Sequence, residues 1–331
     1  MKTLHHFRIP FLVSLSLLGA VFVFLGTEAF VITALLSVLE VTLSFDNAVV
    51  NAKVLKGMDP VWRHRFLVWG ILIAVVGTRF ILPIIIVAIT AATSPWEILS
   101  LALHAPAQYG VLLAASDSAI KAFGGMFLIM VALKYFMDAG KTVHWVRRVE
   151  HYLARLGSIE SVEILLGLVI LLSLSFMVHS ELRSTVLVSG LVGVIIFLTM
   201  EGITHALSLI GGRSSLAGLG LFMYLEVLDT AFSLDGVVGA FALSHNLIII
   251  AVGLGIGAYL VRSLTLYFVK FGTLDNLRYL EHGAHWAIFG LALTMLVGLL
   301  HHVPEVISGL IGLTFVMGSY YSSLRHIKRS R

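Results

Sequence analysis

The stretch LEVTLSFDNAVVNA, Leu39 to Ala52, sets two carboxylates, Glu40 and Asp46, inside a run otherwise apolar enough to cross a membrane. An acid in hydrocarbon is costly unless it faces protein or water, so its presence marks a candidate functional site. A second stretch, DTAFSLDGVVG from Asp229 to Gly239, aligns without a gap on EVTLSFDNAVV. Glu40 falls on Asp229, Ser44 on Ser233, Asp46 on Asp235 and Asn47 on Gly236. Downstream, each copy enters an apolar segment with one arginine, Arg79 in GTRFILPIIIV and Arg262 in YLVRSLTLYFV. A Gly-led segment follows each, FGGMFLIMVALKYF in the first half and HGAHWAIFGLALTM in the second. Repetition of two acids, a serine and the following arginine predicts two related three-helix units.

The whole composition agrees with a membrane setting. The 331 residues are 59% hydrophobic and only 12% charged, with a mean hydropathy of +1.00, far above ordinary soluble domains. The absence of cysteine excludes disulfides, thiolate metal sites and cysteine nucleophiles, so any bound ion must be held by oxygen or imidazole. No phosphate-binding glycine loop or ATP-hydrolysis motif is present, and the chain reads as a non-enzyme driven by an ion gradient or the membrane potential.

Apolar runs of about 20 residues predict an all-α, polytopic fold of ten transmembrane helices, near 9–26, 30–52, 66–91, 120–137, 161–178, 184–200, 216–240, 246–269, 284–301 and 304–321. The first is expected to be retained rather than cleaved as a signal peptide. Residues 94–118, with Pro95 and Pro106, are too broken to span. The expected organisation is an extra helix over 1–29, a first repeat over 30–138, a basic linker with two inserted helices over 139–215, a second repeat over 216–301, and a last helix with a basic tail over 302–331. Of the 22 Lys and Arg, 17 fall on one side of this topology, including Arg213 and Arg331, which predicts cytoplasmic termini and explains the net charge of +4 without a nucleic-acid partner. An odd number of spans separates the starts of the two units, so they cross the membrane in opposite senses, as inverted repeats of secondary transporters do.

Glu40, Ser44 and Asn47 are spaced to share one helical face, whereas Asp46 lies roughly 120° from Glu40. Ser-Phe-Asp-Asn and Ser-Leu-Asp-Gly both loosen helical backbone, so a break is expected near 44–47 and 233–236. Glu40, Asp46, Asp229 and Asp235 exceed Arg79 and Arg262 in charge, and carboxylates with hydroxyl, amide and carbonyl oxygens suit a hard cation such as Mn²⁺, Mg²⁺ or Ca²⁺. The arginines are expected to be counter-charges. Glu226, on the face of Asp229 and Ser233, is an additional candidate ligand or proton carrier, as are Ser44 and Ser233. The competing expectation is that each acid pairs with an arginine and merely fastens helices.

These motifs resemble the TerC integral membrane family of the LysE-like exporters, several of whose members are implicated in manganese export. The resemblance covers 30–138 and 216–301 and implies Glu40, Asp46, Asn47, Asp229 and Asp235 as the metal site, with manganese the favoured substrate and no resident cofactor. Two departures stand out: Gly236 where such proteins usually carry serine, and the inserted helices. The resemblance also implies a bacterial inner-membrane location. The alternative function is a non-transporting scaffold in a metal or tellurite stress-response or protein-insertion complex, with a second copy of the chain or a complex subunit as partner besides the lipid bilayer.

Weaker expectations concern single residues. Asp117 is expected to cap the following helix, and Lys134 to pair with Asp138 or snorkel. Glu201, Thr204 and His205 have metal-compatible spacing but fit a hydrated turn better. Gly253 and Gly257 are expected to let helices approach closely inside the protein.

Overall fold

The computed structural model describes residues 2–211, 215–272 and 277–329, and among them every regular element is helical. Arg213 and Arg331 lie outside the described residues. In chain order the α-helices are α1 (Lys2–Leu43), α2 (Phe45–Gly57), α3 (Pro60–Leu72), α4 (Leu82–Thr90), α5 (Pro95–His104), α6 (Pro106–Ala115), α7 (Asp117–Phe136), α8 (Arg147–Leu156), α9 (Val162–Met177), α10 (Arg183–Gly211), α11 (Ser215–Leu243), α12 (Leu247–Lys270), α13 (Leu280–Val297) and α14 (Glu305–Arg329). A π-helix, Ile73–Ile81, joins α3 to α4.

Eight of these stretches are long and apolar enough to cross a membrane, and the chain is a membrane protein. The expected segments 9–26 and 30–52 are divided at Gly26, where the helix is interrupted, and the second runs past Leu43 into α2. Both enter α1, which is bent at Gly26 with φ 88 and ψ −178, a conformation glycine reaches without a Cβ clash. The expected span 161–178 is the 16-residue apolar helix Val162–Met177, about 24 Å long. Residues 94–118 form the two short helices α5 and α6, as their prolines dictate. Helix starts follow local chemistry: Asp59 caps α3 by accepting from the Val61 and Trp62 amides, and Asn246 caps α12 from Ile248 and Ile249.

The expected break occurs in one copy only. Ser44 ends α1 and precedes α2, whereas α11 runs unbroken through Ser233–Gly236. Ser44 turns its hydroxyl to the Glu40 carboxylate (3.1 Å), while Ser233 Oγ makes no hydrogen bond and so offers the backbone no alternative to the helix.

Helix α7 is the axis of the bundle, buried almost completely from Met126 to Leu133 against α10, α11 and α13. Gly124 and Gly125 of α7 meet Met295 and Leu296 of α13. Helix α1 packs along α12, where Gly253 and Gly257 admit Leu36 and Glu40, the close internal approach expected of them. The π-helix packs on α11. The linker, the start of α13 and the end of α14 gather at the same end, tied by Lys53 to Glu281 and by Arg278 to His326.

Candidate functional site

Residues of α1, α2, the π-helix, α11 and α12 enclose one small polar cavity of about 10 Å³, room for a single water-sized group. Glu40, Arg79, Asp229 and Arg262 all line it, so the repeat-related acids at the first motif position and both buried arginines meet in one place. Asn51 and Thr265, which sequence reasoning passed over, also contribute to its wall.

Arg79 reaches the Glu40 carboxylate as a fully buried ion pair, and its other terminal nitrogen donates to the Ala74 carbonyl. Ala74 O also accepts from Thr78 Oγ1 at 2.5 Å. The wider π turn presents Arg79 to α1, a frequent use of π geometry at functional sites. Ser44 donates to the same carboxylate oxygen, Glu40 Oε1.

Arg262 is held differently. Its guanidinium lies 4.0 Å from the centre of the Phe66 ring, donates to the Phe66 carbonyl and stands 3.7 Å from Glu226 Oε1. Gly70 makes this possible, because a Cβ there would collide with both Arg262 and Glu226. Glu226 is thus the ion partner of Arg262, and Asp229 is left to a neutral donor: Asn47 Nδ2 donates to Asp229 Oδ1 at 2.5 Å. The face shared by Glu40, Ser44 and Asn47 therefore bridges the two sequence motifs, as helical phase predicts.

Asp46 and Asp235 lie outside this cavity wall, each buried, at 3% and 8% exposure. Asp46 sits in the first turn of α2, its carboxylate against the amides of residues 46 and 47. Asp235 feels the charges of Asp117 and Lys121 across the bundle. Among the described residues neither acid has a cation within ion-pair distance. Five buried acids in the membrane helices, Glu40, Asp46, Glu226, Asp229 and Asp235, thus face two buried guanidiniums.

The donor set fits a hard cation in chemistry but is not assembled as a cage. Asn47 Oδ1, Asn51 Oδ1 and Ser233 Oγ are buried oxygens without hydrogen-bond partners, of the kind a hard cation takes as ligands. Among the described residues, no three His, Asp or Glu side chains converge as a preformed metal site.

Other expectations are corrected by their partners. Lys134 reaches Glu201 at 2.5 Å and Glu163 at 3.5 Å rather than Asp138, because α9 and α10 present acids at its level. Glu201 is thereby committed to a cation. Asp117 is not the cap of α7. It occupies the first turn after Ser116 and pairs with Lys121 at 2.6 Å.

The residue that sequence reasoning missed most completely is Glu150 of α8, which has no exposed surface. Its carboxylate accepts from the Trp145 and Val146 amides (3.1 and 3.2 Å), from His282 Nδ1 (2.7 Å) and from Trp286 Nε1 (2.9 Å), with Lys141 Nζ at 3.4 Å. Burial alone would raise its pKa; the bonds from His282 and Trp286 and the nearby charges of His282 and Lys141 outweigh it and hold the carboxyl down at about 2.

The profile of the protein family of unknown function DUF475 matches residues 45–330, which includes α2 to α14. No curated protein and no solved structure matches the chain.

Proposed function

We propose a transport function for this chain, which belongs to the DUF475 family: it exports a hard divalent cation, with manganese favoured, through the carboxylate-rich interface of two inverted repeats. The observation that carries this reading is the pair Asp46 and Asp235. They occupy equivalent motif positions, are buried, and have no counter-cation among the described residues. A buried charge must be paired, neutralised or bound to a metal. Helix fastening by ion pairs accounts for Glu40 and Glu226, which hold arginines, and leaves these two acids without a purpose.

Helix pairing supports the inverted repeat. If the units are α1 with α2, then α3 with α4, then α7, against α11, α12 and α13, the first helix of one unit packs on the second of the other in both directions. These pairs are α1 on α12 and the π-helix on α11, while the third helices, α7 and α13, pack on each other. A two-fold axis in the membrane plane requires that reciprocity. The ten-span topology counts the two limbs of α1 and the short α9 as separate crossings, and the basic end of the bundle is then cytoplasmic, in a bacterial inner membrane. The TerC resemblance of SFDNAVV and SLDGVV points to the same cargo.

On this reading the cation competes with arginine and asparagine donors for oxygens. Asp229, held by the neutral Asn47, is released at least cost, while Asp46 and Asp235 offer charge on either side of the central cavity. Glu40–Arg79 and Glu226–Arg262 keep the cavity wall in register between passages. The second reading, a scaffold, is favoured by those two ion pairs and by the lack of a preformed cage among the described residues.

Purified protein in vesicles loaded with Mn²⁺, Ca²⁺ or Mg²⁺, assayed with and without a proton gradient, separates the two. Transport is expected for wild type and loss of it for Asp46→Asn and Asp235→Asn, with thermal stability retained. Wild-type protein that moves none of the three ions under either condition ends the exporter reading in favour of the scaffold.

A further inference from the structure

At the basic end of the bundle, the linker, α8 and the segment entering α13 surround a cavity of about 910 Å³ that the transport reading does not use. Four cationic side chains, Lys141, Arg147, Arg155 and Arg278, and two imidazoles, His144 and His151, line it, and among the described residues no carboxylate does. We propose that this cavity is a binding site for a phosphate-bearing anion, either a soluble phosphate compound or the headgroup of an anionic lipid.

The arrangement differs from a merely solvated basic surface in three ways. Arg147, His151 and Arg155 recur every four residues, so one face of α8 lines the cavity with three basic side chains, while Arg148 lies off that face. Cations from separate elements converge on that face: Lys141 from the linker, and Arg278, steadied by His326 of α14 at 3.1 Å. Two of the polar groups also keep hydrogen-bonding capacity to spare. The Lys141 side chain is 8% exposed, and its ammonium is anchored 3.7 Å over the Tyr135 ring. Neither that nitrogen nor His144 Nε2 has a hydrogen-bond partner.

The nearest acid, Glu150, pairs with Lys141 at 3.4 Å and with none of the other lining residues. Glu150 is fully buried behind the cavity and already accepts from two backbone amides, His282 and Trp286. Among the described residues Arg147 and Arg155 have no ion pair at all. Convergent like charges raise the local potential and concentrate anions. Guanidinium forks match phosphate oxygens in pairs, and the volume lies in the range of small-molecule pockets. Basic pockets at the ends of membrane helices recognise anionic headgroups by the same chemistry.

The test uses the full chain and does not depend on transport. Pyrophosphate is titrated into protein in neutral detergent by calorimetry, and in parallel hydrogen exchange over 141–158 is compared in nanodiscs of phosphatidylcholine with and without phosphatidylglycerol. Saturable pyrophosphate binding identifies a soluble ligand; protection by phosphatidylglycerol alone identifies the lipid. Arg147→Gln with Arg155→Gln should weaken whichever binding is seen by at least tenfold. Arg148→Gln, which removes an exposed charge of α8 from outside the cavity wall, should change it less than twofold. Both arginines of the double variant are exposed and unpaired, and Arg155→Gln alone supplies the same comparison in a less altered protein. No binding of either probe, or equal loss with Arg148→Gln, overturns the site.

Discussion

Replacing Glu150 by glutamine tests whether one buried carboxylate docks the whole linker. The side chain keeps its volume but loses the charge that gathers five donors from the linker and α13. The carboxyl is held down from 4.5 to about 2, a difference worth about 3 kcal/mol in favour of the docked state. Because the docked pKa is the lower one, that stabilisation is complete above about pH 4.5 and fades as the pH falls towards 2. Hydrogen exchange reports it directly: amides of α8 that open with the linker should exchange roughly 10²-fold faster in Glu150→Gln at pH 7, since each 1.4 kcal/mol is about tenfold. Wild-type protein should approach the same rates, after correction for intrinsic exchange, only as the acid range is entered. Unchanged protection of α8 in the variant would refute the assignment.

Three further outcomes follow from the central cavity. Arg79→Ala leaves Glu40 buried without its cation and should cost roughly 3–5 kcal/mol, whereas the double variant Arg79→Ala/Glu40→Ala should recover part of it, read as a double-mutant cycle in thermal unfolding. Gly70→Ala adds a methyl group where Arg262 and Glu226 meet, so it should cost about 1–3 kcal/mol and mimic Arg262→Ala in any transport assay; an inert Gly70→Ala would mean the guanidinium sits elsewhere. Asn47→Ala should loosen Asp229 and change cation affinity more than stability, measured as the concentration dependence of vesicle uptake.

What the sequence makes legible is what short-range pattern can encode. Apolar runs announce the helices, and the ungapped motif ties Glu40 to Asp229 before any contact is known. The spacing of Glu40, Ser44 and Asn47 places them on the face that indeed meets α11. The glycines of GLGIG mark the crossing of α12 with α1. What stays hidden depends on partners far along the chain. Nothing near Gly70 announces that a guanidinium from α12 will fill its missing side chain. The segment HWVRRVE looks like a charged, hydrated turn, yet Glu150 has no exposed surface because donors 132 and 136 residues away close over it. The π turn at Arg79 is equally silent in a 3.6-residue pattern, since the extra residue is stabilised by what Arg79 reaches, not by its neighbours.

The one-sided helix break bears on how a repeat could work. Ser44 and Ser233 are equivalent by sequence, yet only Ser44 bonds to the preceding acid and interrupts its helix. The acids differ in the same way: Glu40 is ion-paired to Arg79 and bonded by Ser44, while Asp229 is hydrogen-bonded by Asn47 and feels Arg79 and Arg262 without a direct ion pair, and Arg262 stands closest to Glu226. If the units were static fasteners, equivalent residues would have no reason to choose different partners. On the proposed reading, inverted repeats exchange access by taking up each other's conformation, so any single state must be asymmetric in this manner. The alternate state would then have Ser233 bonded to Asp229, a break at Ser233–Gly236, and α1 continuous with α2 through Ser44. Gly236 in place of a second asparagine makes that break easier to form and leaves the partner of Glu40 absent, so the two states need not be equally populated.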